Sequence, residues 1–483
     1  MWTWPRRRIG NVVTAAVLLL ASSYALANGR FPRAERLLED PTNADRLALA
    51  ATYGILTTAD RGQRWYHVCE ASFADLASYT GDPLLDFMSD GTLLVGVQAT
   101  LNASRDGCQW KPTLGGGSTF IVDYTIVRSA PARVIALVAS YHNGTVDYAL
   151  WKSIDGTESW SELGPVPAEN VYTLDVDPVE PTRIYVTALE NNVGQLLRSS
   201  DEGRSWSARP IPNTNLNETP YLAGLPAGDP QRIYVRTDAW VPLDGDLTAN
   251  DALLYSPDGG ETWTELFRNR AKLLGFALSP DGNTVLLGYG NPFAEGALTV
   301  SGQLGIFKSA TDVFRFEPVF AGHIGCLTWT ARGVYICGSQ HFDQFELAFS
   351  PGADFGGDAT CITPLLRLPE VRGPLACPAG TMGTACNAQW TAACALFGAC
   401  KDAGSSTAGC MGGASANDGS VVRPDGGDDG GDAPPSPPLV PPADEGCGCR
   451  MARRPTSISA IALAIFSSVA ARRRSRRRRA PDR

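Results

Sequence analysis

One short pattern recurs along the chain and constrains its fold more than any other feature. Each clear copy has a Ser or Thr, an Asp two positions later, then a Gly, and a Trp at the end of the segment. These copies begin at Thr58, Ser104, Ser153, Ser199 and Ser256, and degenerate copies begin at Ser309 and Ser350. Successive copies are separated by 46, 49, 46, 57, 53 and 41 residues. Such a period predicts one supersecondary unit per copy, and its length suits four β-strands with their turns.

The residues around each copy fit this plan, because apolar side chains alternate or run unbroken over short segments, as they do in strands. The strands predicted in the fourth unit are Val171–Val176, Arg183–Thr187, Gln195–Arg198 and Ser205–Arg209. The fifth unit repeats the plan with Arg232–Arg236, Leu253–Tyr255 and Thr262–Phe267. Seven copies predict an all-β fold, a seven-bladed β-propeller of four-stranded blades over residues 33–372. Six or eight blades stay open, because the last two copies are degenerate.

The residue types that recur in every clear copy of the pattern have a structural explanation. An Asp in a tight turn accepts backbone N–H groups, the Gly adopts positive φ, and the Trp packs against its own blade. We therefore predict structural rather than catalytic or metal-binding roles for Asp60, Trp65, Asp106, Trp110, Asp155, Trp160, Asp201, Trp206, Asp258 and Trp263.

The pattern resembles the Asp-box, or BNR repeat, of sialidases, sortilin-type ectodomains and photosynthetic assembly factors. The resemblance implies that these turns lie on the rim of a propeller, away from the face that binds ligands. It does not extend to the sialidase active site. A sialidase of this kind has an Arg-Ile-Pro segment near its start, whereas the nearest match here is Phe31-Pro32-Arg33.

The N-terminus predicts export. Three arginines at positions 6–8 precede the apolar run Val12–Leu20 and the small-residue site Ala25-Leu26-Ala27, which is the layout of a signal peptide over residues 1–27. Signal peptidase is then an expected partner.

Export makes disulfides the expected state of the cysteines, of which the chain has 12. Cys326 and Cys337 lie in consecutive predicted strands and are expected to pair. Cys69 and Cys108 are expected to link the first two blades, with two buried free thiols as the alternative. Six further cysteines between positions 361 and 410 are expected to hold a small Cys-rich module, residues 374–412, to the last blade.

The C-terminal part is organised as a spacer and a tail. Residues 413–446 are rich in Gly, Asp and Pro and predict a disordered linker. Residues 447–483 contain Cys447 and Cys449, an apolar segment over 456–471 and a final Arg cluster. This order resembles the MYXO-CTERM sorting tail. The resemblance implies cleavage by a myxosortase-type protease and lipidation at either cysteine. It also implies a membrane anchor, through the apolar segment or the lipid, at the outer membrane and cell surface of a Gram-negative bacterium.

Charge and motif content exclude several classes of function. Residues 28–446 carry 27 basic and 49 acidic residues, so the body of the protein should repel nucleic acid. The chain has no Cys-x-x-Cys pair, no His-x-x-x-His pair, no phosphate loop and no nucleophile elbow. We therefore expect no metal site and no cofactor.

The sequence favours a non-catalytic surface module that binds a glycan or protein through its loops. The candidate ligand residues lie in long predicted loops and are Trp240, Asp244, Asp246, Tyr289 and Phe293. One alternative is a glycoside hydrolase acting on polysaccharide, since propellers of the resembling type include xyloglucan-degrading enzymes. That chemistry requires two carboxylates, and the sequence alone singles out none. An extracytoplasmic assembly or scaffold factor is the other alternative.

Overall fold

Twenty-nine β-strands form seven sheets in the part of the chain that the computed structural model describes, residues 33–74, 82–142, 144–229, 231–243, 246–291, 301–355 and 362–400. Each sheet is antiparallel and takes its strands in chain order. The predicted seven-bladed propeller of four-stranded blades is confirmed.

The strands of the first four blades have the following bounds. Blade 1 contains β1 (Ala34–Asp40), β2 (Asn43–Ala51), β3 (Gly54–Thr58) and β4 (Tyr66–Val68). Blade 2 contains β5 (Leu84–Phe87), β6 (Leu93–Val97), β7 (Thr100–Ser104) and β8 (Lys111–Gly115). Blade 3 contains β9 (Thr119–Ile126), β10 (Val134–His142), β11 (Thr145–Ser153) and β12 (Ser161–Pro165). Blade 4 contains β13 (Asn170–Val176), β14 (Ile184–Glu190), β15 (Val193–Ser199) and β16 (Ser207–Pro210).

Blade 5 differs from the others by one added strand. It contains β17 (Glu218–Gly224), β18 (Ile233–Leu243), β19 (Asp246–Ala249), β20 (Asp251–Ser256) and β21 (Thr264–Asn269), and β19 pairs only with the far half of β18. Blade 6 contains β22 (Lys272–Leu278), β23 (Thr284–Gly290), β24 (Gly305–Ala310) and β25 (Glu317–Phe320). Blade 7 contains β26 (Cys326–Thr330), β27 (Gly333–Cys337), β28 (Leu347–Ser350) and β29 (Thr363–Leu366).

The first strand of every blade is the inner one. These seven strands contact one another in sequence, and the ring closes where β26 of blade 7 contacts β1 of blade 1. The second strands are buried over most of their length in six blades, for example Leu47, Leu49 and Ala50 in β2. Apolar side chains packed between adjacent sheets therefore form the core, and each fully buried Leu, Ile or Val contributes about 1.5–3 kcal/mol.

The antiparallel order gives the propeller two distinct ends. We call one the turn end; in blade 4 it carries residues 177–183, between the first and second strands, and 200–206, between the third and fourth. The other is the loop end; in blade 4 it carries residues 191–192 and the connection 211–217 to the next blade. Because every blade has the same order, all seven recurring segments lie at the turn end.

The C-terminal segment, residues 371–400, packs on blades 1 and 2 rather than on blade 7. It follows a 3-10 helix (Leu368–Glu370) and contains a second one (Met382–Thr384) and the helix α1 (Ala385–Phe397). Its start runs beside β4, where the backbone N–H groups of Arg372 and Leu375 donate to the carbonyls of Trp65 and His67.

This course along β4 explains the observed disulfides. The bonds are Cys69–Cys386, Cys108–Cys377, Cys326–Cys337 and Cys394–Cys400. The expected pair Cys326–Cys337 is confirmed. The expected Cys69–Cys108 link is wrong, because the segment brings one new cysteine to each of these two. The expectation that the module is fixed to the last blade is wrong for the same reason.

Other expectations concern residues beyond these ranges. Four of the predicted regions lie outside the described residues. They are the signal peptide, the part of the Cys-rich module after residue 400, the linker and the sorting tail. Within the described ranges, no helix has both the length and the apolar character needed to cross a membrane.

Candidate functional site

The recurring turns at the turn end are closed hydrogen-bonded units. In blade 4, Ser199 Oγ donates to Asp201 Oδ1 over 2.8 Å and accepts the N–H of Gly203 over 2.7 Å. Asp201 also accepts the backbone N–H and the hydroxyl of Ser205, at 2.9 and 2.6 Å. These donors, the Ser205 hydroxyl above all, lower the pKa of Asp201 to about 2. Its carboxylate is occupied by the turn itself, which is a structural role.

The other clear copies repeat this arrangement. The Ser or Thr hydroxyl donates to the Asp carboxylate in the turns of Asp60, Asp106, Asp155 and Asp258. The indole N–H donates to the carbonyl of the turn Gly from Trp65, Trp110 and Trp263, and to Pro165 from Trp206. The degenerate copies differ, since Ser309 and Ser350 donate to nearby backbone carbonyls instead.

Two of the five candidate ligand residues lie on one hairpin. Trp240 is in β18 and Asp246 is in β19, and these strands extend blade 5 at the loop end. Asp244 and Phe293 lie outside the described residues.

Tyr289 is a core residue. Its side chain is fully buried at the end of β23, where its ring contacts Phe267 and Phe307 at centroid distances of 5.8 and 5.7 Å. Its hydroxyl donates to the carbonyl of Asp251 over 3.4 Å. The ring is therefore closed to any ligand, and the prediction that Tyr289 binds one does not hold.

A small pocket opens at the loop end where blades 6, 7 and 1 meet. It is lined by Arg33, Leu274, Asn291, His323, Ile324, Gly325, Gly338 and Ser339. Its cavity volume is about 10 Å³, which is room for about one water-sized group.

Polar groups on the blade 7 side of the pocket are held by one carboxylate. Asp343 accepts the backbone N–H groups of Ser339 and His323, at 3.0 and 3.2 Å. The His323 ring stacks on Phe342 at a centroid distance of 4.1 Å. Within the described ranges, Ser339 Oγ and Arg33 Nε are buried without a hydrogen-bond partner.

Burial raises the pKa of Asp175, which accepts the Val176 N–H and the Thr125 hydroxyl, and the pKa values of four further carboxyl groups. The pKa rises to about 6 for Asp251, about 7 for Asp123 and Glu35, and about 8 for Glu346. Perturbed carboxyls of this kind are candidates for general acids, provided that a substrate can reach them.

Two of the four cannot be reached, since the side chains of Asp251 and Glu346 are 0% exposed. Glu346 accepts the Tyr53 hydroxyl at 3.0 Å and the Gln340 N–H at 3.3 Å. Asp251 accepts two backbone N–H groups and the ammonium of Lys272. Both carboxyls join elements of the fold.

Asp123 is half-buried, but both of its oxygens are engaged by backbone. Oδ1 accepts the N–H of Tyr124 and Oδ2 accepts the N–H of Leu174, each at 2.8 Å. The second bond joins blade 3 to blade 4, so Asp123 acts as a link between inner strands.

Glu35 is the remaining carboxyl and is the best candidate for a chemical role. Its side chain is 17% exposed and interacts with two other side chains, Arg33 and Asp82. Burial is the largest cause of its raised pKa; Arg33 opposes the rise, and the charge and hydrogen bond of Asp82 add to it. Glu35 thus pairs with Arg33, which also lines the pocket.

A second accessible carboxylate lies on the next inner strand. Asp86 in β5 is 30% exposed, and its Oδ2 is 3.8 Å from the guanidinium of Arg36, the residue after Glu35. Asp86 and Glu35 therefore lie on the inner strands of adjacent blades. Sequence reasoning missed both residues. The signal that could have found them is an acidic residue among the apolar residues of an inner strand. Glu35 lies in Ala34-Glu35-Arg36-Leu37-Leu38, and Asp86 lies in Leu84-Leu85-Asp86-Phe87.

Within the described ranges, no group of three or more His, Cys, Asp or Glu side chains is arranged to hold a metal ion.

Comparison with known proteins finds one curated relative by sequence and several solved structures that resemble this chain. No protein-family model matches the chain. A xyloglucanase from a Paenibacillus species is 25% identical over 212 residues, which is 36% of this chain and 20% of the xyloglucanase. The chain thus matches only about a fifth of that relative's length.

Solved structures agree in fold. The structure of an ancestral GH74 enzyme matches with a TM-score of 0.51 and 15% identity, covering 70% of this chain and 47% of that one. A Hadza microbial sialidase matches with a TM-score of 0.36 and 15% identity, covering 60% of this chain and 70% of the sialidase. At such identities the GH74 likeness shows the fold alone.

The preference for a non-catalytic binding or adhesion module is wrong in the light of these relatives. The xyloglucanase match favours the hydrolase alternative. The sequence argument failed because it found no carboxylate pair, and the candidate carboxylates lie on inner strands rather than in the long loops.

Proposed function

We propose that the protein is a glycoside hydrolase that acts on a polysaccharide, with a β-glucan such as xyloglucan as the first substrate to test. The observation that carries this proposal is the 212-residue match to a xyloglucanase. The inner strands of blades 1 and 2 support it independently, because they hold two partly exposed carboxyls, Glu35 and Asp86.

Glu35 is the proposed proton donor. A general acid must hold its proton at the working pH and be close to the leaving oxygen. With a pKa of about 7, Glu35 is about half protonated at neutral pH and largely protonated in mildly acidic solution. Its partial exposure leaves the carboxyl accessible from the loop end, and Asp82 holds its orientation through a hydrogen bond.

Asp86 is the proposed second carboxylate. Glycosidases of most families use two, one as the acid and one as a base or nucleophile. Asp86 is accessible, belongs to the adjacent inner strand and is paired with Arg36. Arg36 is itself 53% exposed, so the Asp86–Arg36 pair is open to solvent.

The recurring turns are proposed to be Asp-boxes. Their hydrogen bonds, from the hydroxyl to the carboxylate and from the Gly N–H to the hydroxyl, follow the same plan in blades 1, 2, 4 and 5. On this proposal they stabilise the turn end and take no part in catalysis.

Export and display at the cell surface are also proposed, from the N-terminal pattern and the tail. The four disulfides support export, because such bonds persist in oxidising compartments. Replacing Cys447 and Cys449 together by Ser should move the protein from the membrane fraction to the medium; retention in membranes would contradict lipid anchoring.

The hydrolase proposal is tested by reducing-sugar release from xyloglucan and a panel of other polysaccharides, using the purified full chain. Glu35→Gln should lower the rate about 100–10,000-fold, the contribution typical of a general acid. Glu39→Gln is the matched control, because Glu39 lies on the same strand but pairs with Arg332 towards the turn end. The absence of release by the unaltered chain on every polysaccharide would overturn the proposal.

A further inference from the structure

Five aromatic side chains lie together at the loop end of blades 3, 4 and 5. We call them the aromatic row: Phe120, Tyr141, Tyr148, Tyr172 and Tyr221. They belong to β9, β10, β11, β13 and β17, respectively.

The strand register places the first three rings on one face of blade 3. Phe120 and Tyr148 both pair with Ala139, from opposite sides of β10. Directly paired residues project to the same face of a sheet, and so do residues two apart on one strand. Tyr141 follows Ala139 by two and therefore shares that face.

The row continues without interruption across the next blades. The rings of Phe120 and Tyr141 lie 5.1 Å apart, and those of Tyr172 and Tyr221 lie 5.5 Å apart. Tyr148 joins these pairs, since its hydroxyl accepts the N–H of Val171 at the start of blade 4.

A cation closes the far end of the row. The guanidinium of Arg236 lies over the Tyr221 ring, 4.7 Å from its centroid. Tyr221 is thereby held in place from the blade 5 side.

Exposure distinguishes this surface from the rest of the propeller. Phe120 is 37% exposed and Tyr141 is 51% exposed, and no other aromatic side chain in the described ranges is as exposed as these two. The three remaining rings are half-buried, so each keeps part of its surface in water.

The chemistry of the row fits one occupant. Ring faces bind the apolar faces of sugar rings, while phenol hydroxyls exchange hydrogen bonds with sugar hydroxyls. Burial raises the pKa of Tyr172 to about 12, so this hydroxyl remains an uncharged donor at physiological pH. Rings about one sugar unit apart suit an extended, uncharged chain.

We propose that the aromatic row is the polymer-binding surface of the enzyme, where an uncharged polysaccharide chain lies across blades 3–5 at the loop end. This inference rests on the proposed function, because the row shares the loop end with Glu35. It places the contacts several sugar units away from the bond that is cleaved.

Two variants test the row directly. Tyr141→Ala and Tyr172→Ala should each weaken binding of soluble xyloglucan about tenfold, as loss of one central aromatic anchor commonly does. Ile154→Ala is the control, because Ile154 is also exposed, at 67%, but lies at the turn end of blade 3. It should leave binding unchanged. Affinity gel electrophoresis with the full chain in a Glu35→Gln background measures binding without hydrolysis.

The outcomes separate the two proposals. Unchanged affinity for xyloglucan in both Tyr variants would overturn the proposal that the aromatic row binds the polymer, whatever the hydrolytic rate. Weaker binding in both, in a chain that releases no sugar, would support the row and overturn the hydrolase. Tyr141 is the safer site, because its side chain is half exposed and its removal leaves the core intact. In an active enzyme, Tyr141→Ala should raise KM for the polymer and leave kcat and the rate on short oligosaccharides unchanged.

Discussion

Carboxyl groups at the two ends of the propeller are held in opposite protonation states. At the turn end, Asp155 and Asp201 are surrounded by hydroxyl and N–H donors, which lower both pKa values to about 2. At the loop end, burial raises the pKa of Glu35 to about 7 and that of Glu346 to about 8. The same chemical group, a carboxyl, therefore stabilises turns as an anion at one end and holds a proton at the other. Hydrogen-bond donors lower the pKa at the turn end, and desolvation raises the pKa at the loop end.

The largest stability effect should come from the turn end. Trp110 is 2% exposed and packs against Phe73 at a centroid distance of 5.4 Å. Trp110→Ala should lower the free energy of unfolding by about 3–5 kcal/mol. Trp206→Ala is the comparison, because that ring is only half-buried, and its loss should be clearly smaller. Urea unfolding followed by circular dichroism measures both. Equal losses of unfolding free energy in the two variants would show that burial of the turn Trp does not set its contribution to stability.

The second effect concerns pH at the loop end. The Glu346 pKa is raised from 4.5 to about 8 in the folded protein, so the folded state binds more protons between these values. The free energy of unfolding should therefore fall as pH rises from about 4.5 to 8, by a few kcal/mol. Glu346→Gln cannot ionise and should flatten this fall. If the free energy of unfolding fell equally with pH in the variant and in the unaltered chain, the proposed role of Glu346 in this pH dependence would be contradicted.

A smaller effect is expected for a turn-end carboxylate. Asp201→Ala removes the acceptor for Ser199 and Ser205 and should lower Tm by less than Trp110→Ala does. Since the folded pKa is depressed, this stabilisation is present above the ordinary Asp pKa of 3.8 and is lost as pH falls towards 2. The Tm difference should therefore shrink in acid. A loss of hydrolytic activity at unchanged Tm would contradict the structural role.

The fold could be predicted from sequence because the information is local and repeated. The strand predicted over Val171–Val176 is observed as Asn170–Val176, and Leu253–Tyr255 falls within Asp251–Ser256. The disulfide between Cys69 and Cys386 joins residues 317 positions apart, and no local pattern carries that pairing. It depends on where the chain runs after blade 7.

The candidate site could not be predicted, because its properties arise from packing between blades. Glu35 reads as one acid among many in the sequence, and its pKa is raised only once neighbouring blades bury it. Tyr289 shows the opposite error. It lies next to a long connection in the sequence, but β21 and β24 cover its ring in the folded protein.

The pH dependence of kcat/KM on xyloglucan, for the unaltered chain and for Glu35→Gln, tests the central claim most directly. If Glu35 donates the proton, kcat/KM of the unaltered chain should fall as pH rises through about 7, where Glu35 loses that proton. The variant should be far slower and should lack this step. A variant that keeps the full rate, or keeps the same fall near pH 7, would contradict the account.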